Sequence, residues 1–200
     1  MSSLLGRRAV VRAVVVGAGI GGLSMAGALA RHFERVEVLE RDHLTACAAS
    51  RCGTPQDRHP HGLLAGGLKA LGEIFPGYER DLANAGAVPV MVAQEIRYER
   101  ADVGVLPQRD FGLSLLCASR PLIELVLRRR AEAVANITLR PRCRVTRIVP
   151  ATGSAAAYGI RGDFGSGRSE TLEADLVVDA SGRGALTSTL FDALGWKRPQ

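Results

Sequence analysis

Aromatic residues are scarce in this chain, which has five Phe, three Tyr and one Trp among 200 residues. So few rings speak against a platform for stacking single-stranded nucleic acid. Lysine is scarcer still, with only Lys69 and Lys197, so Arg carries nearly all of the formal net charge of +6. The arginines are spread along the chain, and the one dense run is Arg128-Arg129-Arg130. On a helix that run follows Glu124, which stands four residues before Arg128 and is placed to pair with it. It reads as a solvated helix face, and no nucleic-acid partner is expected. Cysteine is limited to Cys47, Cys52, Cys117 and Cys143, with no Cys-x-x-Cys pair and no histidine at ligand spacing. No metal is therefore expected. A chain of this length with 46% hydrophobic residues needs no disulfide to hold a core, so reduced thiols in the cytoplasm are the expectation. Repeats of solenoid or propeller period are absent.

Long uncharged runs are also lacking, with one exception. Ala13 to Ala30 carries no charge, lies behind Arg7-Arg8, and is just long enough to cross a bilayer. Five of its residues are glycine, in a pattern with another purpose, so it divides better into a strand and a helix than into a membrane span or a cleaved leader. Val10 to Val16 (VVRAVVV) suits the centre of a parallel sheet. Gly17-Ala18-Gly19-Ile20-Gly21-Gly22 then supplies G-x-G-x-x-G ahead of a helical LSMAGALARHF. In that pattern Gly17 permits a tight turn, Gly19 lets backbone approach a pyrophosphate, and Gly22 lets helix pack on strand. The helix start offers free N–H groups and a positive dipole to the phosphate. A second strand, Val36 to Glu40, ends in an acid eighteen residues after Gly22, where a carboxylate can accept hydrogen bonds from a ribose diol. The whole is one βαβ unit for a dinucleotide. NAD and FAD both carry ADP, and the unit does not choose between them.

Periodicity is lost after Glu40-Arg41-Asp42 until His61, so CAASRCGTPQDRHPHG is expected to be a long functional loop. Leu63 to Phe75 has helical spacing and stops at Pro76-Gly77. A strand is expected at Val88 to Val92, short strands between Ile96 and Leu116, and a helix from Ser119-Arg120-Pro121 to about Val134. Ile137 to Leu139 is a short strand. Arg144 to Val149, Ala156 to Ile160 and Thr171-Leu172 read as an antiparallel meander. Leu176 to Val178 reads as another buried parallel strand, running into Asp179-Ala180-Ser181-Gly182-Arg183-Gly184. In a doubly wound sheet the carboxyl ends of parallel strands line one crevice, so two glycine-bearing strand ends far apart in sequence can meet at one cofactor.

These segments resemble a known family, the FAD-dependent monooxygenases of the aromatic-hydroxylase type. The resemblance rests on VVVGAGIGGLSMAGAL, VEVLERD, PQDRHPHGLLAGGLKAL with FPG, SRPLIELVLRRR and ADLVVDASGRG, in order along roughly residues 10 to 186. The wording is most similar to a bacterial branch that includes polyketide epoxidases. The resemblance implies an α/β fold of Rossmann-like, glutathione-reductase type, with the meander inserted, as one FAD-binding domain over residues 1–200. It implies FAD as cofactor, NAD(P)H as reductant, and oxygen transfer through a flavin C4a-hydroperoxide to a small alkene or aromatic substrate, possible polyketides included. By the same resemblance Gly17, Ala18, Gly19, Gly21 and Gly22 would surround the ADP pyrophosphate, and Glu40 would hold the adenosine ribose. Arg41 would lie near the adenine side, and Val145 would touch the adenine by backbone. Arg120 would reach the FAD phosphate or ribityl region, and Asp179 and Gly182 would help position the cofactor. No side chain reads as an indispensable nucleophile or general base, so no catalytic residue is named.

The sequence departs from the family pattern in two places. Ser181-Gly182 stands where Asp-Gly is usual, with Ala185 where Ser is common. No Gly-Asp follows Ser181, so the fold is expected to be C-terminally incomplete, lacking the third motif and most of a substrate domain, and a complementing chain becomes a candidate partner. The alternatives are a non-catalytic dinucleotide-binding module and half of an NAD-dependent dehydrogenase.

Overall fold

The computed structural model describes residues 11–151 and 157–198. Arg7, Arg8, Val10 and Ala156, which enter the sequence expectations above, lie outside the described residues. In chain order, β1 (Arg12–Val16), α1 (Ile20–Leu29) and β2 (Arg35–Leu39) form the opening unit. A 3-10 turn (Pro55–Arg58) precedes β3 (Pro60–Leu63), α2 (Ala65–Ile74), α3 (Tyr78–Asn84) and β4 (Val88–Met91). The small hairpin β5 (Glu99–Arg100) and β6 (Gly104–Val105) leads to β7 (Ser114–Ser119) and α4 (Arg120–Glu132). Next come β8 (Ile137–Arg140), β9 (Arg144–Pro150), β10 (Ala157–Asp163), β11 (Ser169–Glu173), β12 (Leu176–Asp179) and α5 (Ala185–Leu194). The chain divides into two compact units, one of residues 1–44 with 131–200 and the other of residues 45–130.

In the first unit four parallel strands pair in the order β12-β1-β2-β8. The β-branched run explains why β1 sits inside this sheet. A strand covered on both faces must be apolar at successive positions, and Ala13, Val14 and Val15 have no exposed surface. Alternate side chains leave by opposite faces. Val14 and Val16 join Leu39, Cys143, Ile148 and Ile160 in one core, against which Leu172, Leu186 and Leu190 also pack. That core lies between the sheet, the antiparallel meander β11-β10-β9 and α5. Glu37 interrupts the apolar pattern of β2, and its buried carboxylate is met by Arg12 at 3.0 Å and Arg140 at 3.2 Å. A buried charge is tolerable only when paired in this way. Crossing on α1, the chain returns from β1 to β2, and Asn136 Nδ2 closes the far end of that crossover by donating to the carbonyls of Ala30 and Phe33.

In the second unit β3-β7-β4 is an antiparallel sheet. Tyr78 is fully buried, and its hydroxyl donates to the Ile123 carbonyl at 3.2 Å, tying α3 to α4. Burial pushes this phenol well above its ordinary pKa, which suits a structural anchor. The helix expected from Leu63 begins two residues later, because Leu63 is claimed by β3 and pairs with Leu116. The loop expected to run to His61 is likewise shortened by the strand that starts at Pro60. Helices α3 and α5 have no counterpart in the sequence reading. Gly77, at φ 85°, turns the chain straight from the end of α2 into α3, so the stop at Phe75-Pro76-Gly77 is also a start.

The arginine run departs from its expected character. Arg129 is exposed, but Arg128 is 8% exposed and its guanidinium donates to the Thr45 carbonyl. Together with Arg129 bonding to the Ala46 carbonyl at 3.3 Å, it fastens the start of the long loop to α4. A run read as a solvated face is therefore partly a clamp.

Candidate functional site

The carboxyl ends of β1, β2 and β12 come together in the first unit, and most of the sequence-predicted residues sit there. Val16 is in register with Leu39 on one side and with Asp179 on the other. The glycine turn is stitched to both neighbours. Gly17 N–H donates to the Leu39 carbonyl at 2.8 Å, and Ala180 N–H donates to the Val16 carbonyl at 2.9 Å.

Two glycines are demanded by this geometry. Gly17 has φ +104°, and a Cβ there would lie 2.5 Å from the Ala180 carbonyl oxygen. At Gly22 a Cβ would lie 1.9 Å from the Gly17 oxygen, so the helix start closes on the turn only because no side chain intervenes. These are the turn and packing roles that the motif assigns to its first and third glycines. Gly21 is different. It is exposed, its φ is ordinary, and a Cβ there would meet no protein atom within 4 Å. Nothing in the chain itself requires glycine at that position. Gly19 is the N-cap of α1, in extended conformation, with no side-chain cap and no acidic residue in the first turn. The first intrahelical bond of α1 is from Leu23 N–H to the Gly19 carbonyl. An uncapped start of this kind offers its leading N–H groups and the positive end of the dipole to an anion.

Glu40 follows directly on β2 and is held from several sides. Its Oε2 accepts the Ala18 N–H at 2.8 Å and its Oε1 the Asp42 N–H at 3.0 Å. Its backbone N–H donates to the Arg140 carbonyl, and its own carbonyl accepts from Cys143. The side chain is buried at 6% exposure, and Ala18 is buried beneath the turn. One backbone bond to each carboxylate oxygen fixes the orientation of the group. The residues thus fit the ADP half of a dinucleotide: a turn closed tightly where protein meets protein, an open glycine, an uncapped helix start, and an oriented carboxylate at the adjacent strand end.

Asp179 ends β12 and is engaged on both oxygens. Oδ1 accepts from Ser181 N–H at 3.1 Å and Ser181 Oγ at 2.5 Å, and Oδ2 accepts from Thr187 N–H at 3.1 Å and Thr187 Oγ1 at 2.8 Å. Burial works to raise its pKa, but the hydrogen bonds from Ser181 and Thr187 outweigh it and hold the carboxyl below its usual range. Asp179 therefore ties the strand end to the turn and to the first turn of α5. Gly182, at φ 96°, lies in that turn. Arg41 is exposed, with its guanidinium 3.8 Å from Asp42. Val145 lies on β9 in the same unit and packs against the core behind the sheet.

Arg120 belongs to the second unit, at the start of α4. Its Nε donates to Glu124 Oε1 at 2.7 Å, and the other oxygen of Glu124 receives the guanidinium of Arg51. Sequence reasoning missed both Glu124 and Arg51 in this role. It matched Glu124 to Arg128 by helical spacing, and Arg51 lay in an aperiodic loop that offers no spacing to read. Only the Arg-Pro helix start marked the neighbourhood. Among the described residues no group of three or more His, Cys, Asp or Glu is placed to hold a metal. No described helix is long and apolar enough to cross a membrane.

Known proteins resemble this chain in sequence and in fold. A model of the NAD(P)-binding Rossmann-like domain family matches residues 15–66, which take in the turn, α1, β2 and the loop after it. Protein Rv3254 of Mycobacterium tuberculosis is 36% identical over 197 residues, covering 94% of this chain and 41% of that protein. The solved structure of 2-methyl-3-hydroxypyridine-5-carboxylic acid oxygenase (C294A mutant) superposes with a TM-score of 0.59 at 26% identity, covering 86% of this chain and 40% of the other. PqsL from Pseudomonas aeruginosa, a "probable FAD-dependent monooxygenase", superposes with a TM-score of 0.65 at 17% identity, covering 95% and 48%. The chain shares the fold of these oxygenases. In this monooxygenase-type fold the meander is inserted between β8 and β12, as the sequence predicts, and α/β layering follows the Rossmann pattern. The chain spans less than half the length of each of these relatives.

Proposed function

We propose that this chain is the FAD-binding domain of a flavin-dependent monooxygenase that draws on NAD(P)H and O₂ to oxygenate a small organic substrate, an alkene or an electron-rich aromatic. The observation that carries the reading is the strand-end cradle. Gly17 and Gly22 close the turn, the start of α1 has no side-chain cap, and Glu40 is held by the N–H groups of Ala18 and Asp42. In this reading the turn from Gly17 to Gly22 takes the pyrophosphate and Glu40 the adenosine ribose. Arg41 and the Val145 backbone flank the adenine, and Arg120 serves the phosphate or ribityl region. Asp179 and Gly182 shape the rim. Bound flavin would supply the redox chemistry. The chain's own residues bind and orient it, and no side chain here is assigned a proton transfer. Completing the substrate site falls to further sequence or a complementing chain. Four free thiols suit a reducing cytoplasm.

A second reading, a non-catalytic dinucleotide module, is supported by the makeup of the cradle: the glycine turn, the uncapped start of α1 and the oriented Glu40 suit an ADP moiety, which FAD, NAD and ADP share. Titration of the purified chain with FAD, NAD⁺ and ADP separates the readings. Flavin fluorescence quenched at stoichiometric FAD, with at least about tenfold tighter binding than ADP, supports the flavoprotein. Equal affinity for FAD and ADP supports the module, and preference for NAD⁺ supports a dehydrogenase half.

A further inference from the structure

The antiparallel meander of the first unit carries a charge arrangement that the cradle does not use. Its inward row is apolar: Ile160 stands opposite Ile148 on one side and Leu172 on the other, and all three pack in the core. Side chains alternate between the two faces along a strand. The next row, Arg147, Arg161 and Thr171, therefore points outward, and all three are exposed. Arg161 thus stands directly opposite Arg147, and like charges at cross-strand distance oppose the pairing. Past the register shift that follows, exposed Arg144 joins the same face opposite Asp163. Nearby carboxylates are engaged elsewhere. Asp163 Oδ1 accepts the N–H groups of Gly165 at 2.9 Å and Gly167 at 3.0 Å, and Glu170 accepts the Ser166 hydroxyl at 2.7 Å. Arg161 Nε donates to Ser169 Oγ at 3.1 Å, a bond that orients the guanidinium but brings no negative charge. Among the described residues no ion pair reaches Arg144, Arg147 or Arg161.

We propose that this outward face of the meander is a docking surface for an acidic polypeptide segment, whose carboxylates lie between Arg147 and Arg161 and against Arg144. Charge complementarity carries the choice: the sheet holds its cations together with no anion of its own, and guanidinium forks match carboxylates edge to edge. A lipid surface fits less well, because none of the exposed large apolar side chains lies in the meander to enter a bilayer. Nucleic acid also fits less well. Phe164, the described ring nearest this face, already lies under the Arg140 guanidinium, so no stacking platform is offered. The surface belongs wholly to the first unit and does not depend on which dinucleotide the cradle takes.

The test uses the full chain and a fluorescein-labelled peptide of alternating glutamate and serine, read by anisotropy at low and at physiological salt. Arg147→Gln, Arg161→Gln and the double variant remove the like-charge pair. Arg97→Gln with Arg100→Gln removes the same net charge from the other unit and serves as the control. The expected result is peptide binding by wild type, weakened at least about tenfold in the double variant and by less in each single one, with the control within about twofold of wild type. Tm should hold or rise in the single variants, because a repulsion is relieved. Wild type that does not take the peptide overturns the proposal, and so does an equal loss in the control, which marks bulk charge alone. Tighter binding to phosphatidylserine vesicles or to duplex DNA than to the peptide overturns the choice of partner. A fall in Tm of about 5 °C or more in either single variant overturns it as well, since the pair would then be part of the packing.

Discussion

Glu40 shows how much one side chain is asked to do. Both of its oxygens accept backbone N–H groups, from Ala18 and Asp42, in a buried setting. A glutamine there offers one acceptor oxygen and turns an NH₂ group towards one of those donors. Glu40→Gln should therefore cost about 1–3 kcal/mol of stability, the range for leaving a buried donor unsatisfied. At a temperature where the variant is still folded, its ADP affinity should fall by at least about tenfold, as read by calorimetry. Undiminished ADP binding by the folded variant would remove Glu40 from the site. The glycines make a sharper pair. Gly22→Ala drives a Cβ to within 1.9 Å of the Gly17 oxygen, and backbone must move. A loss of about 3 kcal/mol or more is expected, which for a chain of this size lowers Tm by roughly 6–12 °C. Gly21→Ala meets no protein atom within 4 Å and gains helix propensity, so Tm should hold or rise. If the cradle takes a dinucleotide, that harmless-looking methyl should still weaken binding. A melting curve beside a FAD titration tests both halves of the comparison.

Among the elements, Asp179 links β12 to α5 and carries a pH signature. Its carboxyl is held below the usual range because the hydrogen bonds from Ser181 and Thr187 outweigh the opposing effect of burial. A depressed carboxyl pKa in the folded state contributes stability that is full above the unfolded pKa and is lost as pH falls through the folded one. Wild type should therefore exceed Asp179→Asn in Tm by a constant margin from pH 8 down to about 5, and the margin should shrink below about pH 4. A margin constant down to pH 2 would mean that the four bonds do not prefer the charged form. This element also marks the boundary of what the sequence makes legible. The parallel strands β1 and β12 are visible because their valine runs are unbroken, β2 because valines stand on both sides of its one charged residue, Glu37, and the glycine turn because Gly17 and Gly22 have steric reasons to be glycine. The meander is visible through its glycine-rich turns. Helix α5 is not, because its first turn is organised by Asp179, a residue outside the helix, and not by a local cap. The start of α2 is shifted because β7 claims Leu63, a competition that no window around Leu63 contains. Glu124 is misread for the same reason: its spacing to Arg128 is local, whereas its partner Arg51 is 73 residues away.

For the whole molecule, the distribution of apolar surface has consequences in solution. Val103, Val105, Leu106, Phe111 and Leu113 are all exposed within one stretch of the second unit, with Phe111 at 62% and Val103 at 60%. Nearby Arg97, Arg100 and Asp102 are paired among near neighbours on the surface, with Arg97 joined to Glu99 and Arg100 to Asp102. These exposed pairs contribute little to stability. Apolar side chains concentrated in this way favour association of the isolated chain or binding of a hydrophobic dye. Phe111 and Leu113 have no place in the buried core, so replacing them should not lower its stability. The double variant Phe111→Ser, Leu113→Lys is expected to reduce anilinonaphthalene sulfonate fluorescence and the light-scattering radius, while leaving Tm within about 1–2 °C and ADP affinity unchanged, because surface substitutions away from structural features stay within about 0.5 kcal/mol. A fall in Tm of 5 °C or more would show instead that this stretch supports the fold of its unit, and the exposed side chains would then count as part of its packing.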